Sequence, residues 1–167
     1  MKTTGKLESL VGPCGLHCGI CTMYRAYHDQ NLSLWEETPR NFRKQLGLGD
    51  EVDSKDIACE GCRSSTLFRY CAECSIRKCV LEEKGFDWCY QCESFPCQML
   101  RDFQSYWRMP VVENLREIQK MGLDRWLGQE ETKWCCAQCG TKLHWFSFCI
   151  CPRCGESLPD PGQEQSK

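Results

Sequence analysis

Seventeen cysteines in 167 residues are the side chains of this chain best placed to do chemistry. Most fall in C-x2-C pairs: Cys18/Cys21, Cys59/Cys62, Cys71/Cys74, Cys89/Cys92, Cys136/Cys139 and Cys151/Cys154. A chelating pair fixes two thiolate ligands at little cost in chain entropy, and two pairs brought together close a four-sulfur metal site. The chemistry in prospect is metal binding. Disulfides are the competing use of so much cysteine. They fit less well, because the total is odd and the spacing favours chelation. The start, MKTTGKLESLVGPCG, has no apolar run of signal-peptide length. No stretch approaches the length of a transmembrane helix. The expectation is a reducing compartment, most simply the cytoplasm, with no membrane involvement.

Among the N-terminal cysteines, four pairs supply two closed sites, and Cys14, Cys79 and Cys97 are left over. These three could form a third site with His17 as fourth ligand, or with the fourth position open to water. An open position is where a metal does chemistry. Asp87 or Glu93 could then act as base, although both read more simply as solvent-exposed loop carboxylates. Spacing does not say which cysteines share an ion, and interleaved arrangements or a binuclear cluster fit equally. Cys14-x3-Cys18-x2-Cys21 is also the spacing used by enzymes that start radical chemistry on an iron–sulfur cluster. Such enzymes need a large partial α/β barrel. This chain shows no series of strand–helix repeats and no glycine-rich cofactor loop, so radical chemistry is set aside. An iron–sulfur cluster without that chemistry stands as the alternative for the N-terminal cysteines. The ferredoxin run with proline after its last cysteine is absent, since Pro96 precedes Cys97. Zinc is preferred, with about four ions expected, because paired units separated by loops suit independent tetrahedral sites.

The stretch WCCAQCGTKLHWFSFCICPRCGES is the clearest motif. Cys136/Cys139 and Cys151/Cys154 each run into a glycine, Gly140 and Gly155. A C-x-x-C-G turn points backbone N–H groups at sulfur and needs the left-handed conformation that glycine takes freely. TKLHWFSF between the pairs reads as a tight hairpin, and four thiolates close a zinc ribbon. Cys135 and Cys149 are spare thiols in this reading, and His144 is a partly buried strand residue rather than a ligand.

Positioning these sulfurs requires a scaffold, and three regions are visible. Residues 1–97 form a cysteine-rich metal-binding region. Residues 98–134 hold no cysteine and read as helices packing on it in the same domain. Residues 135–157 form the ribbon, and 158–167 have the composition of a disordered tail. Leu100, Phe103 and Trp107 recur at helical spacing, in a helix capped by Ser94 that starts near Phe95 and Pro96. Pro110 breaks the pattern, Val111, Leu115, Ile118 and Met121 form a second stripe, Gly122 ends it, and LDRWLGQEE makes a third helix. Two further helices are expected over 19–29 and 39–46, with cysteine-held loops dominating 50–95. The fold class expected is small α+β, metal-stabilised and loop-rich: a cysteine-rich N-terminal region, central helices and a C-terminal zinc-ribbon hairpin. Without cysteine the apolar share is about three-tenths, so metal should substitute for part of the core.

Charge argues against a generic nucleic-acid binder. The formal net charge is −2, and with thiolate-bound zinc it would approach roughly −9. Six basic and six acidic residues cancel over 98–134. Arg101, Arg108 and Arg116 are the arginines that a nucleic-acid reading would have to use.

The segments CGLHCGICTMY, DIACEGCR, CAECSIRKCVLEEKGFDWCYQCESFPC and RMPVVENLREIQKMGLDRWL together resemble a cysteine-rich family, domain of unknown function 3795. The ribbon is similar to one that many longer members carry, and the likeness covers about residues 12–155. Cys135 stands where that pattern would have a basic or polar residue. The resemblance implies a prokaryotic, soluble, zinc-binding protein and supplies no activity, substrate or catalytic residue. The leading expectation is a non-enzymatic structural-metal module that docks a partner protein. Trp134, Trp145, Phe146 and Phe148 are its candidate contact residues. The alternatives are a metalloenzyme using the three-cysteine site, an iron–sulfur protein, and a nucleic-acid-binding ribbon protein. Metal sensing, metal storage and redox sensing are variants of the first.

Overall fold

The computed structural model describes residues 7–49, 52–145 and 150–158. Helices dominate: α1 (Thr22–His28), α2 (Ser33–Glu36), α3 (Arg40–Gln45), α4 (Arg69–Ala72), α5 (Ser75–Arg77), α6 (Gln98–Trp107), α7 (Val111–Met121) and α8 (Leu123–Lys133). A single wide π-type turn over Lys78–Glu83 continues α5. Strand content is small: among the described residues, extended segments meet only as three isolated bridges, Val11 with His17, Cys135 with Lys142 and Ile150 with Ser157. The cysteine-held stretch before α6 is mostly turn and loop, with short helical pieces at Arg69–Ala72, Ser75–Arg77, Lys78–Glu83 and Cys89–Gln91.

The proline and glycine punctuation sets the central helices. Pro110 stands at the N-cap of α7 and Gly122, at φ +85°, at its C-cap. α6 starts later than its sequence cue. Cys97, with extended backbone at φ −74° and ψ 166°, is the N-cap, and Phe95 N–H closes a separate turn on Cys92 O at 3.0 Å. Arg108, left-handed at φ 52°, ends α6.

The chain forms two compact units, neither continuous in sequence. The first comprises Met1–Cys18 and Glu60–Gly128. Its core takes Leu100 from α6, Val111, Leu115 and Ile118 from α7, and Trp126 and Leu127 from α8. Ile76 and Val80 come from the cysteine-rich stretch. Burying each large side chain contributes about 1.5–3 kcal/mol, and Cys14 and Cys89 lie inside the same cluster. Trp126 is fully covered, and its indole N–H donates to Glu117 Oε2 at 3.1 Å. Gly15 lets the first cysteine loop settle on α7: a Cβ there would stand 2.6 Å from Val111 O. Asn114 Nδ2 donates to Gly15 O at 2.9 Å.

The second unit comprises Gly19–Cys59 and Gln129–Lys167. Met23, Tyr24 and Ala26 of α1 are buried, as are Trp35, Leu46 and Ile57. The Trp35 indole N–H donates to Gly49 O at 3.1 Å. Within this unit Trp145 N–H donates to Ile20 O at 2.8 Å, tying the segment after the first ribbon turn to the start of α1. No described helix is long and apolar enough to cross a membrane.

Candidate metal centres

The ribbon sulfurs converge. Cys136, Cys139, Cys151 and Cys154 present Sγ atoms that all lie within 4.8 Å of one another, an arrangement able to hold a metal ion. Cys136 and Cys154 are 3.7 Å apart, and so are Cys139 and Cys151. Four sulfurs about 2.3 Å from one ion at tetrahedral angles stand about 3.8 Å apart, so this spacing suits a mononuclear site.

Two turns build it. Gly140 N–H bonds Cys136 O at 2.8 Å, and Gly155 N–H bonds Cys151 O at 3.0 Å. Both glycines adopt the expected left-handed backbone, φ +70° and +74°. Cys136 N–H then donates to Thr141 O at 2.9 Å, and Leu143 N–H to Trp134 O at 2.8 Å. Cys151 N–H donates to Glu156 O at 2.8 Å in the second turn. The pairing seen is thus within each turn. The hairpin expected over TKLHWFSF runs into residues 146–149, so its far half lies outside the described residues, with Phe146, Phe148 and Cys149. The tail beyond Leu158 also lies outside them.

Electrostatics set Cys139, Cys151 and Cys154 apart from one another. The hydrogen bond with the Thr141 hydroxyl, 3.2 Å from Cys139 Sγ, holds Cys139 down to about 6. The Cys154 N–H lowers Cys151. At Cys154 the Glu156 N–H also lowers, but the three neighbouring sulfurs outweigh it and push the thiol up to about 12. Four anionic sulfurs at this spacing repel one another, and a divalent cation among them resolves the conflict.

His144, expected as a partly buried strand residue, is buried more deeply than that. At 1% exposure it is fully enclosed. Its Nδ1 lies 3.0 Å from Thr22 Oγ1, and its Nε2 2.7 Å from Glu37 Oε2. No sequence signal joins residues 107 and 122 positions apart.

In the first unit the N-terminal sulfurs gather in two neighbouring groups. One surrounds Cys62. Hydrogen bonds with the Cys18 and Cys71 thiols, helped by Arg77 and Arg63, hold Cys62 well below the ordinary thiol range. Burial first, and then the charge of Cys62, push Cys14 well above it. Arg77 Nε donates to Cys62 O at 3.0 Å, and the Arg63 guanidinium lies 4.5 Å over the Trp88 ring. In the other group, Cys79, Cys89, Cys92 and Cys97 line a cavity of about 240 Å³. Cys89 is pushed up to about 12 by burial and then by the charge of Cys97, Cys79, Cys92 and Cys74. Cys74 therefore stands within electrostatic reach of both groups.

The three leftover cysteines part company: Cys14 sits with Cys62, whereas Cys79 and Cys97 line the cavity together with the Cys89/Cys92 pair. His17 is buried with its ring edge-on to Trp126 at 5.5 Å and does not line the cavity. Asp87 and Glu93 are exposed and do not line it either. Cys21 and Cys59 belong to the second unit. No disulfide joins the described cysteines.

No curated protein and no solved structure matches this chain. One family model does, over residues 10–102, which takes in every N-terminal cysteine and the start of α6. By that match the chain belongs to the family described as protein of unknown function, DUF3795.

Proposed function

We propose that this chain is a zinc-binding protein whose metal sites are structural and whose metal-stiffened surface docks a partner protein. The carrying observation is the ribbon: four sulfurs, two cross-pairs at 3.7 Å, and no oxygen donor among them. Such a shell is closed, and a closed shell holds structure rather than substrate. Among the described residues its local core is Cys136, Leu143 and Cys151, with Trp134, Cys139 and Leu158 packed on it. An ion contributing on the order of 10 kcal/mol would dominate the stability of so thin a module. A reducing compartment such as the cytoplasm would keep these thiols available.

The metalloenzyme reading draws no support from Asp87 or Glu93, neither of which lines the sulfur cavity. Docking draws support from α6, where Met99 and Tyr106 are exposed two turns apart on one face, Tyr106 to 70%. Trp134 and Trp145 pack together at 5.9 Å and are the less available pair. The net charge of −2 gives no footprint for nucleic acid. X-ray absorption at the zinc edge, with elemental analysis, tests the reading. An all-sulfur shell at about 2.3 Å is expected. An oxygen ligand at the ribbon, or a folded ribbon without metal, would overturn it.

A further inference from the structure

Cys79, Cys89, Cys92 and Cys97 are four of the eleven residues lining a partly open cavity of about 240 Å³, the liquid volume of roughly eight water molecules. A lone zinc ion draws four sulfurs to about 3.8 Å of one another and leaves no such space between them. The ribbon sulfurs meet that spacing. Among the described residues, the four around the cavity do not form a set within 4.8 Å. Four thiols on the lining of a space of this size suit the eight-atom core of a cubane cluster, whose terminal sulfurs lie about 6 Å apart, better than one small ion. We propose that this cavity takes a 4Fe–4S cluster ligated by Cys79, Cys89, Cys92 and Cys97.

The surroundings suit such a cluster. Val80, Phe95 and Leu100 form an apolar wall that limits water. Lys84 is the charged residue on the lining, opposite in sign to the net charge of roughly −2 that a cubane with four thiolates carries. Cys97 is the N-cap of the ten-residue α6, whose positive end favours thiolate. Cys79 sits in the π-type turn, closed by Lys84 N–H on Cys79 O at 3.0 Å. Single turns of this kind recur at functional sites. Cys89 and Cys92 bracket one 3₁₀ turn. No carboxylate lines the cavity, so nothing there favours a hard, oxygen-seeking ion. The inference is independent of the ribbon, which lies in the other unit.

The test uses the full chain, purified without oxygen and incubated with ferrous iron, sulfide and a thiol reductant. It is expected to turn brown, absorb at about 400 nm, and bind roughly four iron and four acid-labile sulfide per chain. Iodoacetamide labelling of the loaded protein, read by mass spectrometry, should spare Cys79, Cys92 and Cys97. Stripping the iron by oxidation and chelation should expose them. Cys92→Ala should lose the absorption band, and Cys154→Ser should keep it. A colourless protein in which one zinc with an all-sulfur shell protects the same cysteines would overturn the proposal. So would a cluster whose protection maps to Cys18, Cys62 and Cys71, or a band that survives Cys92→Ala. If Cys92→Ala does not accumulate, the labelling of the unaltered chain decides alone.

Discussion

Gly15→Ala is the sharpest single perturbation of the first unit. Gly15 lies between Cys14 and Cys18 at φ +86°. An L side chain in left-handed backbone costs about 1–2 kcal/mol before any contact is considered. Its Cβ would also stand 2.6 Å from Val111 O and 2.8 Å from Leu115 Cγ. Neither neighbour can yield cheaply, because Val111 and Leu115 are fully buried and anchor α7 in the core. Overpacking of this kind adds about 1–3 kcal/mol, so the whole loss should be about 2–5 kcal/mol. Gly85→Ala is the internal control. Gly85 has φ +64°, and nothing lies within 4 Å of where its Cβ would stand, so only the backbone cost applies. Urea unfolding in metal-replete buffer, followed by tryptophan fluorescence, reads both variants. At about 1–3 kcal/mol per molar urea, the Gly15→Ala midpoint should fall by about 1–2 M, and that of Gly85→Ala by less than half as much. Equal shifts would mean that the close approach of the CGLHC loop to α7 is wrong.

Other expectations follow from the same geometry. Cys154→Ser should lower zinc by one equivalent per chain in elemental analysis and leave the far-UV circular dichroism of the helices largely unchanged; an unaltered zinc content would count against the ribbon site. Cys139 is depressed to about 6 in the folded ribbon, so its share of stability is present above the ordinary thiol range and lost as pH falls through about 6. Apparent zinc affinity, read by competition with a chromogenic chelator, should therefore fall more steeply with pH below about 6 than above it, and an unchanged slope would contradict this. Thr22→Val removes the 3.0 Å bond to buried His144 and should destabilise the second unit by about 1–3 kcal/mol, seen as a lower Tm; an unchanged Tm would show the bond to be dispensable. Leu115→Ala, at a fully buried position of α7, should cost about 2–5 kcal/mol in denaturant unfolding, and a loss under 1 kcal/mol would place Leu115 outside the core.

Much of this protein is local and could be read from the chain itself. The ribbon turns are set within a few residues, because C-x-x-C-G needs only a left-handed glycine and short-range N–H bonds; Gly140 and Gly155 supply both. The helix limits at Pro110 and Gly122 are local for the same reason, as is the stripe of Val111, Leu115 and Ile118. Tertiary structure alone decided the partnerships. Cys79 and Cys97 join the Cys89/Cys92 pair because the π-type turn and the N-cap of α6 bring them to one cavity. Spacing along the chain carries no term for that meeting. The enclosure of His144 by Thr22 and Glu37, over more than a hundred residues, is likewise a product of packing. The strand part of the expected α+β class rests on little among the described residues, where extended segments meet only at single bridges. Which groups can bind metal is written in the residue types, since it depends on side-chain chemistry; only the folded chain decides which sulfurs stand together and how far apart, since that depends on where the backbone carries them.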